Sequence, residues 1–272
     1  MGEGRGLGEP WWLGPYGLLA RGVHAAWEPR LRRRYGEGYG ERRGELGKDL
    51  RELGKAHPLW IHAVSVGEVQ AAAPLVRVIK EESRGRIPVV LSTITPTGRA
   101  MARTLLEGYV DALIYYPWDV PTFVERTVET LSPRGYVVME TEIWPTLLFA
   151  LRRRRIPTFL ANGRLSPRTF DRARRWSFVW KDVWGSFEGL FMRSEEDRAR
   201  IVALGAPGER VQVLGDCKVD ALLHRREAPE TLSVAPPCEG PVVLAGSTHA
   251  GEETVALEAF RQLRRECPSL RL

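Results

Sequence analysis

The sequence predicts a doubly wound parallel α/β sheet, on three grounds. Short runs rich in valine, leucine and isoleucine recur along the chain, each followed by a segment of helical apolar spacing. The clearest run, Leu59 to Val66, is nearly continuous rather than alternating, as expected of a strand covered on both faces. Polar and turn-forming residues collect just after the runs, where open α/β sheets bind their ligands.

Residues 1–14 are rich in glycine and are expected to be irregular, with Trp11, Trp12 and Leu13 as a small exposed apolar knot. From Pro15 to about Tyr35 a helix is expected, with Tyr16, Ala20, Val23, Trp27 and Leu31 on one face and Arg30, Arg32, Arg33 and Arg34 at its end. Such a helix suits the surface of an anionic membrane, and equally suits packing on the protein body. Residues 36–55 are charged and glycine-rich, a connector with a short helix.

Leu59 to Glu68, LWIHAVSVGE, organises the chain around it: a buried strand, a sharp turn at Gly67 and a helix from Val69 to Glu82. Glu68 thus arrives at the mouth of a helix, the first candidate for a catalytic group. As a first-turn acid it also suits the helix dipole alone. Further strands are expected at Val89–Thr93, Ala112–Tyr116, Tyr136–Met139, Thr158–Ala161, Leu190–Met192 and Val211–Leu214. Between them lie helices starting near Arg99, through Phe123–Val128, over Trp144–Arg153, continuously to about Trp184, and over Glu195–Leu204. This arrangement makes residues 56–223 a Rossmann-like domain, preceded by the segment 1–55.

Residues 224–241 carry several prolines and read as a linker. Beyond it Val242–Ala245 is expected as a strand, Gly246 to His249 as a turn and Gly251–Cys267 as a helix. Residues 242–272 would be the first βα unit of a second domain that is incomplete in this chain.

The chain has 272 residues, room for about two domains of ordinary size. A net charge of +6 favours an anionic partner without choosing which. The arginines are scattered over many helices rather than gathered on one face, which argues against nucleic acid. Three cysteines, none in a CxxC pair, indicate neither a disulfide framework nor a zinc site and favour a reducing compartment. No apolar run is long enough to cross a bilayer, and the amino terminus lacks the pattern of a cleavable signal.

At the expected carboxyl edge of the sheet stand Ser65, Glu68, Thr95, Thr97, Gly98, Glu140, Glu142, Asn162, Arg164 and Lys218. Singly, several would be helix caps or turn formers. As a rim they suit hydrogen bonding to sugar hydroxyls. The pair Glu140 and Glu142 lacks a third ligand at metal-binding spacing, so no metal is expected. Neither GxGxxG nor GxxxxGK[ST] occurs, which removes the usual dinucleotide and P-loop readings.

VSVGE at 64–68, TPTG at 95–98, ETEIWP at 140–145, ANGRLS at 161–166, LGDCKVD at 214–220 and GSTHAGEE at 246–253 stand in order. Together they resemble the 3-deoxy-D-manno-octulosonic acid (Kdo) transferases of lipopolysaccharide synthesis. The resemblance implies a GT-B fold of two Rossmann-like domains, the first holding the acceptor and the second the nucleotide sugar. It implies transfer of Kdo from CMP-Kdo to a lipid A precursor of the lipid IVA type at the cytoplasmic face of the inner membrane, with inversion and without a cofactor or metal.

By that resemblance Glu68 is the general base, and Ser65, Thr97, Gly98, Glu140, Glu142, Asn162, Arg164 and Lys218 line the acceptor cleft. Gly246, Ser247, Thr248, His249 and Glu252 match the motif that meets the CMP portion. The GDCKVD around Lys218 departs from the family pattern, which carries asparagine and phenylalanine nearby. With most of the donor domain outside these residues, little transfer is expected of the chain alone. The alternatives are another GT-B enzyme, such as a sugar-nucleotide epimerase, and a non-catalytic module binding anionic lipid.

Overall fold

The computed structural model describes residues 8–227 and 240–272, with only the backbone considered for 224–227. Residues 1–7 and most of the expected linker, including Cys238, lie outside the described residues. Contacts divide the chain into two compact units, Met1–Arg225 and Arg226–Leu272.

In the first unit three helices, α1 (Leu13–Arg34), α2 (Tyr39–Arg42) and α3 (Lys48–Gly54), precede the sheet. Strand and helix then alternate: β1 (Leu59–His62), α4 (Val66–Glu82), β2 (Val89–Thr93), α5 (Pro96–Leu105), β3 (Ala112–Tyr115), α6 (Pro121–Leu131). The alternation continues with β4 (Gly135–Met139), α7 (Pro145–Arg153), β5 (Thr158–Gly163), α8 (Pro167–Ala173) and α9 (Ser177–Trp184). It closes with β6 (Gly189–Met192), α10 (Glu195–Ala203), β7 (Val211–Val213) and α11 (Cys217–Glu227). All pairings are parallel, in the order β3-β2-β1-β4-β5-β6-β7. The doubly wound α/β sheet expected from the sequence is the one observed.

Strand side chains alternate between two apolar layers. Trp60, Val90, Tyr136 and Val138 face one, with α7 supplying Leu147, Leu148 and Leu151. Ile61, Leu91, Val137 and Met139 face the other, where α4 presents Ala71, Ala72, Ala73 and Val76. Burial on both faces explains why these strands read as continuous apolar runs. The alanines let α4 lie close to the sheet and to α5.

Several boundaries differ from the sequence expectation. Strand β1 stops at His62 and α4 already starts at Val66, so Gly67 sits in its first turn rather than in a sharp turn. Helix α5 starts at Pro96, earlier than expected, because the Thr95 hydroxyl accepts from the Gly98 amide at 3.0 Å. The expected long helix to Trp184 is α8, a 3₁₀ turn at Arg174–Trp176, and α9. Ala173 and Val183 both enter the core, yet ten residues of unbroken helix would rotate them about 80° apart. The 3₁₀ turn, with its larger rotation per residue, reduces that to about 20°.

The apolar face expected for the first helix is divided. Tyr16, Gly17, Ala20 and His24 turn toward the body, where the Tyr16 hydroxyl donates to Asp119 at 2.9 Å and His24 packs on Trp118 and Phe123. Val23 and Trp27 face solvent together with Leu18 and Leu19. Among the described residues no helix is long and apolar enough to cross a membrane.

The second unit contains α12 (Glu252–Glu266). The expected strand Val242–Ala245 is not formed: among the described residues Val242 makes a single bridge to Arg271. A strand needs a neighbour along its length, and none of the described residues pairs alongside it beyond that bridge.

Strand β3 lies at the edge of the sheet. Its free side is covered by a side-chain ion pair, Arg99 with Glu41 at 2.6 and 3.1 Å. Arg99 donates to the Leu113 carbonyl and Glu41 accepts from the Tyr115 amide, so the pair substitutes for a neighbouring strand. Glu41→Ala is expected to lower stability by about 1–3 kcal/mol and expose the strand to association. Thermal melts and light scattering over a concentration series test this; an unchanged melt would show that Glu41 contributes nothing there.

Candidate active site

The sheet order reverses at β1. The connections from β1 through β2 to β3 run one way, and β4 then returns to the other side of β1. The loops leaving the carboxyl ends of β1 and β4 therefore diverge, and a crevice opens between them. Into it come Glu68 from the start of α4, and Glu140 and Glu142 from the loop after β4.

Ser65 stands at the N-cap position of α4 and Glu68 three residues on, the spacing of a capping box. Here the glutamate carries the contacts. Its Oε2 accepts from the Val64 amide at 2.9 Å and its Oε1 from the Ser65 hydroxyl at 3.3 Å. The carboxyl is buried, at 8% exposure. Burial pushes its pKa up to about 7, and the charges of Glu140 and Glu142 add to the rise, against the Val64 amide and Ser65 hydroxyl that favour the anion. Glu142 is likewise held above its ordinary range, by burial and then by Glu140. A carboxyl group fixed in direction and titrating near neutrality is suited to accepting a proton.

The opposite wall is held by strained backbone. Glu140, directly after β4, and Asn162, next to the last residue of β5, have φ of +55° each, in the left-handed region that side chains seldom occupy. The β5–β6 register shifts between Leu160 and Gly163, the stretch that contains Asn162. Glu140 accepts from Lys218 Nζ at 2.9 Å, and Asn162 Oδ1 accepts from the Cys217 amide at 3.1 Å. Two strand ends are thereby tied to the start of α11. Lys218 is integrated here despite its divergent surroundings in the sequence.

Gly98 is required by packing. A Cβ there would lie 2.9 Å from Thr95 Oγ1 and 3.0 Å from the Val64 carbonyl oxygen. Gly67, beside Glu68, borders open space instead. Thr97 is exposed, with its hydroxyl 3.4 Å from that of Thr95. Arg164 is exposed beyond β5, and its carbonyl accepts from the Thr141 hydroxyl.

The residues expected at the donor lie in the second unit. The His249 amide donates to Glu252 Oε2 at 2.8 Å, the Thr248 hydroxyl donates to Glu253 at 2.7 Å, and Ser247 has a φ of +58°. Gly246 borders open space. Among the described residues no three His, Cys, Asp or Glu side chains converge as metal ligands.

Sequence reasoning missed the layer beneath the crevice. His62, at the end of β1, is fully buried, stacks on Tyr116 at 3.8 Å, and is pushed down to about 3 by burial, so the imidazole is neutral. The Tyr116 and Tyr136 hydroxyls lie 3.4 Å apart. Asp119 accepts the Thr146 and Leu147 amides at 2.9 and 3.0 Å and so caps α7, which has no capping side chain of its own. A helix opening on Trp144-Pro145 was the available sign that its cap must come from elsewhere. Asp216 pairs with Arg193 at 3.2 Å and accepts the Lys218 amide.

The sheet and switch-point crevice are those of a GT-B type α/β protein. The UDP-GlcNAc 2-epimerase of Neisseria meningitidis superposes with a TM-score of 0.57 at 14% identity, over 78% of this chain and 63% of that one. That likeness concerns the fold alone. The family model described as "3-Deoxy-D-manno-octulosonic-acid transferase (kdotransferase)" matches residues 30–221, and the chain belongs to this family.

A 3-deoxy-D-manno-octulosonic acid transferase of Haemophilus influenzae is 32% identical over 221 residues, covering 79% of this chain and 50% of the relative. The corresponding protein of Aquifex aeolicus is 28% identical over 79% of this chain and 53% of its own length. A bifunctional glycosyltransferase/methyltransferase of Fusobacterium nucleatum is 30% identical over 80% of this chain and 34% of its own length. The chain spans about half the length or less of these relatives.

The raised pKa of Glu68 has a thermodynamic consequence. Between its unfolded value of 4.5 and its folded value of about 7, the folded state holds the proton more tightly, so this residue's contribution to stability falls as pH rises through that window. Glu68→Gln should therefore melt higher than the parent at pH 8, by about 2–4 °C for each kcal/mol released, with the difference vanishing below pH 4.5. A difference independent of pH would mean that Glu68 is not strained by its charge. In a parallel pair of variants, Gly98→Ala should cost about 1–3 kcal/mol from overpacking, whereas Gly67→Ala should be neutral or stabilising.

Proposed function

We propose that this chain is the acceptor-binding part of a glycosyltransferase that moves Kdo from CMP-Kdo to a lipid A precursor of the lipid IVA type, with Glu68 as general base. The observation that carries the reading is the buried carboxyl of Glu68, raised to about 7, in the crevice between β1 and β4. Family membership supplies the reaction class.

The acceptor's primary hydroxyl oxygen forms a bond to the anomeric carbon of Kdo from the face opposite the phosphate. The bond from that carbon to the CMP phosphate oxygen breaks, and its electron pair leaves with CMP. The hydroxyl proton passes to Glu68. Configuration inverts, as a single displacement requires. Glu142 and the pair Glu140–Lys218 offer acceptors and a donor to the hydroxyls of the sugars. Gly246, Ser247, Thr248, His249 and Glu252 remain the residues proposed to meet CMP.

A lipid acceptor requires access to a membrane. Trp11, Leu18, Leu19, Val23 and Trp27 are exposed, and Arg30, Arg32, Arg33 and Arg34 lie in the same region. This combination supports peripheral attachment to the anionic cytoplasmic face of the inner membrane.

In a protein in which this chain is followed by a complete donor domain, Glu68→Gln is expected to lower kcat by about 10²–10⁴-fold with little change in lipid binding. The parent's kcat/KM should rise with pH through about 7 as Glu68 loses its proton. Radiolabelled transfer assays across pH test both points. Parental turnover in the glutamine variant would remove Glu68 from the reaction.

A further inference from the structure

His62, the last residue of β1, is fully buried, and only one of its two ring nitrogens has a partner. Nδ1 lies 3.1 Å from the Ser92 carbonyl oxygen and 3.0 Å from the Ser92 hydroxyl, directly across the β1–β2 pairing. A carbonyl oxygen only accepts, so the proton of the neutral ring sits on Nδ1. The serine hydroxyl accepts from the Trp60 indole at 2.8 Å and donates to the Ile61 carbonyl at 3.4 Å, which accounts for its own proton. Nε2 is left as a buried acceptor with no donor among the described residues.

Such an atom is unfavourable inside a protein. The ring stacks on Tyr116 with centroids 3.8 Å apart, and a phenylalanine would keep that stack without burying an unpaired nitrogen. What the imidazole adds is the Nδ1–H donor, and the donor acts where β1 ends. The Ser92 carbonyl that receives it also receives the Ala63 amide at 3.0 Å. One residue further on, the Val64 carbonyl accepts from the Ile94 and Thr95 amides and the Thr95 hydroxyl, each at 3.2 Å. The Val64 amide then donates to Glu68 Oε2 at 2.9 Å. Three successive residues thus lead from the imidazole to the carboxyl, each tied to the end of β2 or the loop after it.

We infer that His62 is a positioning residue for the reaction: its bond to the Ser92 carbonyl fixes the end of β1, and through it the Val64 amide that orients Glu68. The inference rests on the reading of Glu68 as general base. His62 itself touches no reacting atom.

The 272-residue chain is labelled with ¹³C at the glutamate side-chain carboxyls, and the titration midpoint of Glu68 is read by NMR, with Glu68→Gln identifying its resonance. The parent midpoint is expected at about 7. His62→Phe keeps the stack and loses the donor. It should raise the midpoint by about one pH unit, a tenfold change in proton affinity, because a loosened Val64 amide favours the anion less. Burial, Glu142, and Glu140 with its partner Lys218 continue to act on the carboxyl in that variant. His62→Asn returns a donor without the ring and should stay near the parent value. In the complete protein His62→Phe should lower kcat about tenfold near pH 7, with the acceptor KM changing less, and His62→Asn should recover most of the loss.

A role confined to stability would lower the melting temperature of both variants and leave the midpoint where it is. An unmoved midpoint in His62→Phe, or an equal shift in both variants, would overturn the inference. So would ¹⁵N shifts of the parent that place the ring proton on Nε2 instead of Nδ1, a measurement that needs no variant to fold. A midpoint moved by His62→Phe, without CMP-Kdo turnover in the complete parent protein, would defeat the transferase reading and leave the His62 contact standing. Turnover lost in Glu68→Gln, with the midpoint unmoved in His62→Phe, would defeat only the role of His62.

Discussion

Strand β1 is hydrogen-bonded on both edges and covered on both faces, and this confinement governs the rest of the molecule. With β2 on one side, β4 on the other, and Trp60 and Ile61 fully buried in opposite layers, no part of the strand but its ends can meet a ligand. At its carboxyl end the winding direction of the sheet reverses, so the neighbouring loops cannot close over it. The crevice is therefore a product of connectivity before any particular side chain is considered. Side chains decide what it can do.

Those side chains are held by contacts that would be costly in an ordinary surface loop. Glu140 and Asn162 both occupy the left-handed backbone region, at a strand end and within an irregular β5–β6 register. Lys218 and the Cys217 amide, both from α11, fix them there. Asp119 caps α7 from a different loop and holds Tyr16 of α1 with the same carboxylate. The amino-terminal helix is thus coupled to the loop carrying Glu142 through one buried acid, although the two are more than a hundred residues apart in sequence.

The strands were legible because burial on both faces leaves a direct mark: runs such as Val89–Thr93 and Gly135–Met139 contain little but apolar and small residues. The rim was legible for a related reason, since the residue after a parallel strand is placed by the strand itself. Interactions between distant segments were not. Nothing local shows that Val23 and Trp27 turn away from the body while Tyr16 and His24 turn toward it, because helical spacing marks an apolar stripe without saying what covers it. His62, Tyr116 and Tyr136 read as ordinary strand residues until the fold stacks them. The start of α4 was displaced because Val64 and Val66 extend the apolar run beyond His62, whereas Ser65 and Glu68 form a helix start within it.

At Glu68 a capping role and the proposed role as general base need not compete. As a capping group it is drawn toward the ionised form by the Val64 amide and the Ser65 hydroxyl; as a buried group beside two other carboxyls it is drawn toward the neutral form. The second influence prevails and places the group near neutrality, where it can both hold and release a proton. The same contacts fix the direction of its oxygens, restricting the rotamer freedom that a surface glutamate would retain. A base free to rotate would lose orientation with each encounter, and one stabilised only as an anion would be too weak to accept a proton. The capping geometry supplies the orientation, and burial at the switch point restores the basicity that capping removes.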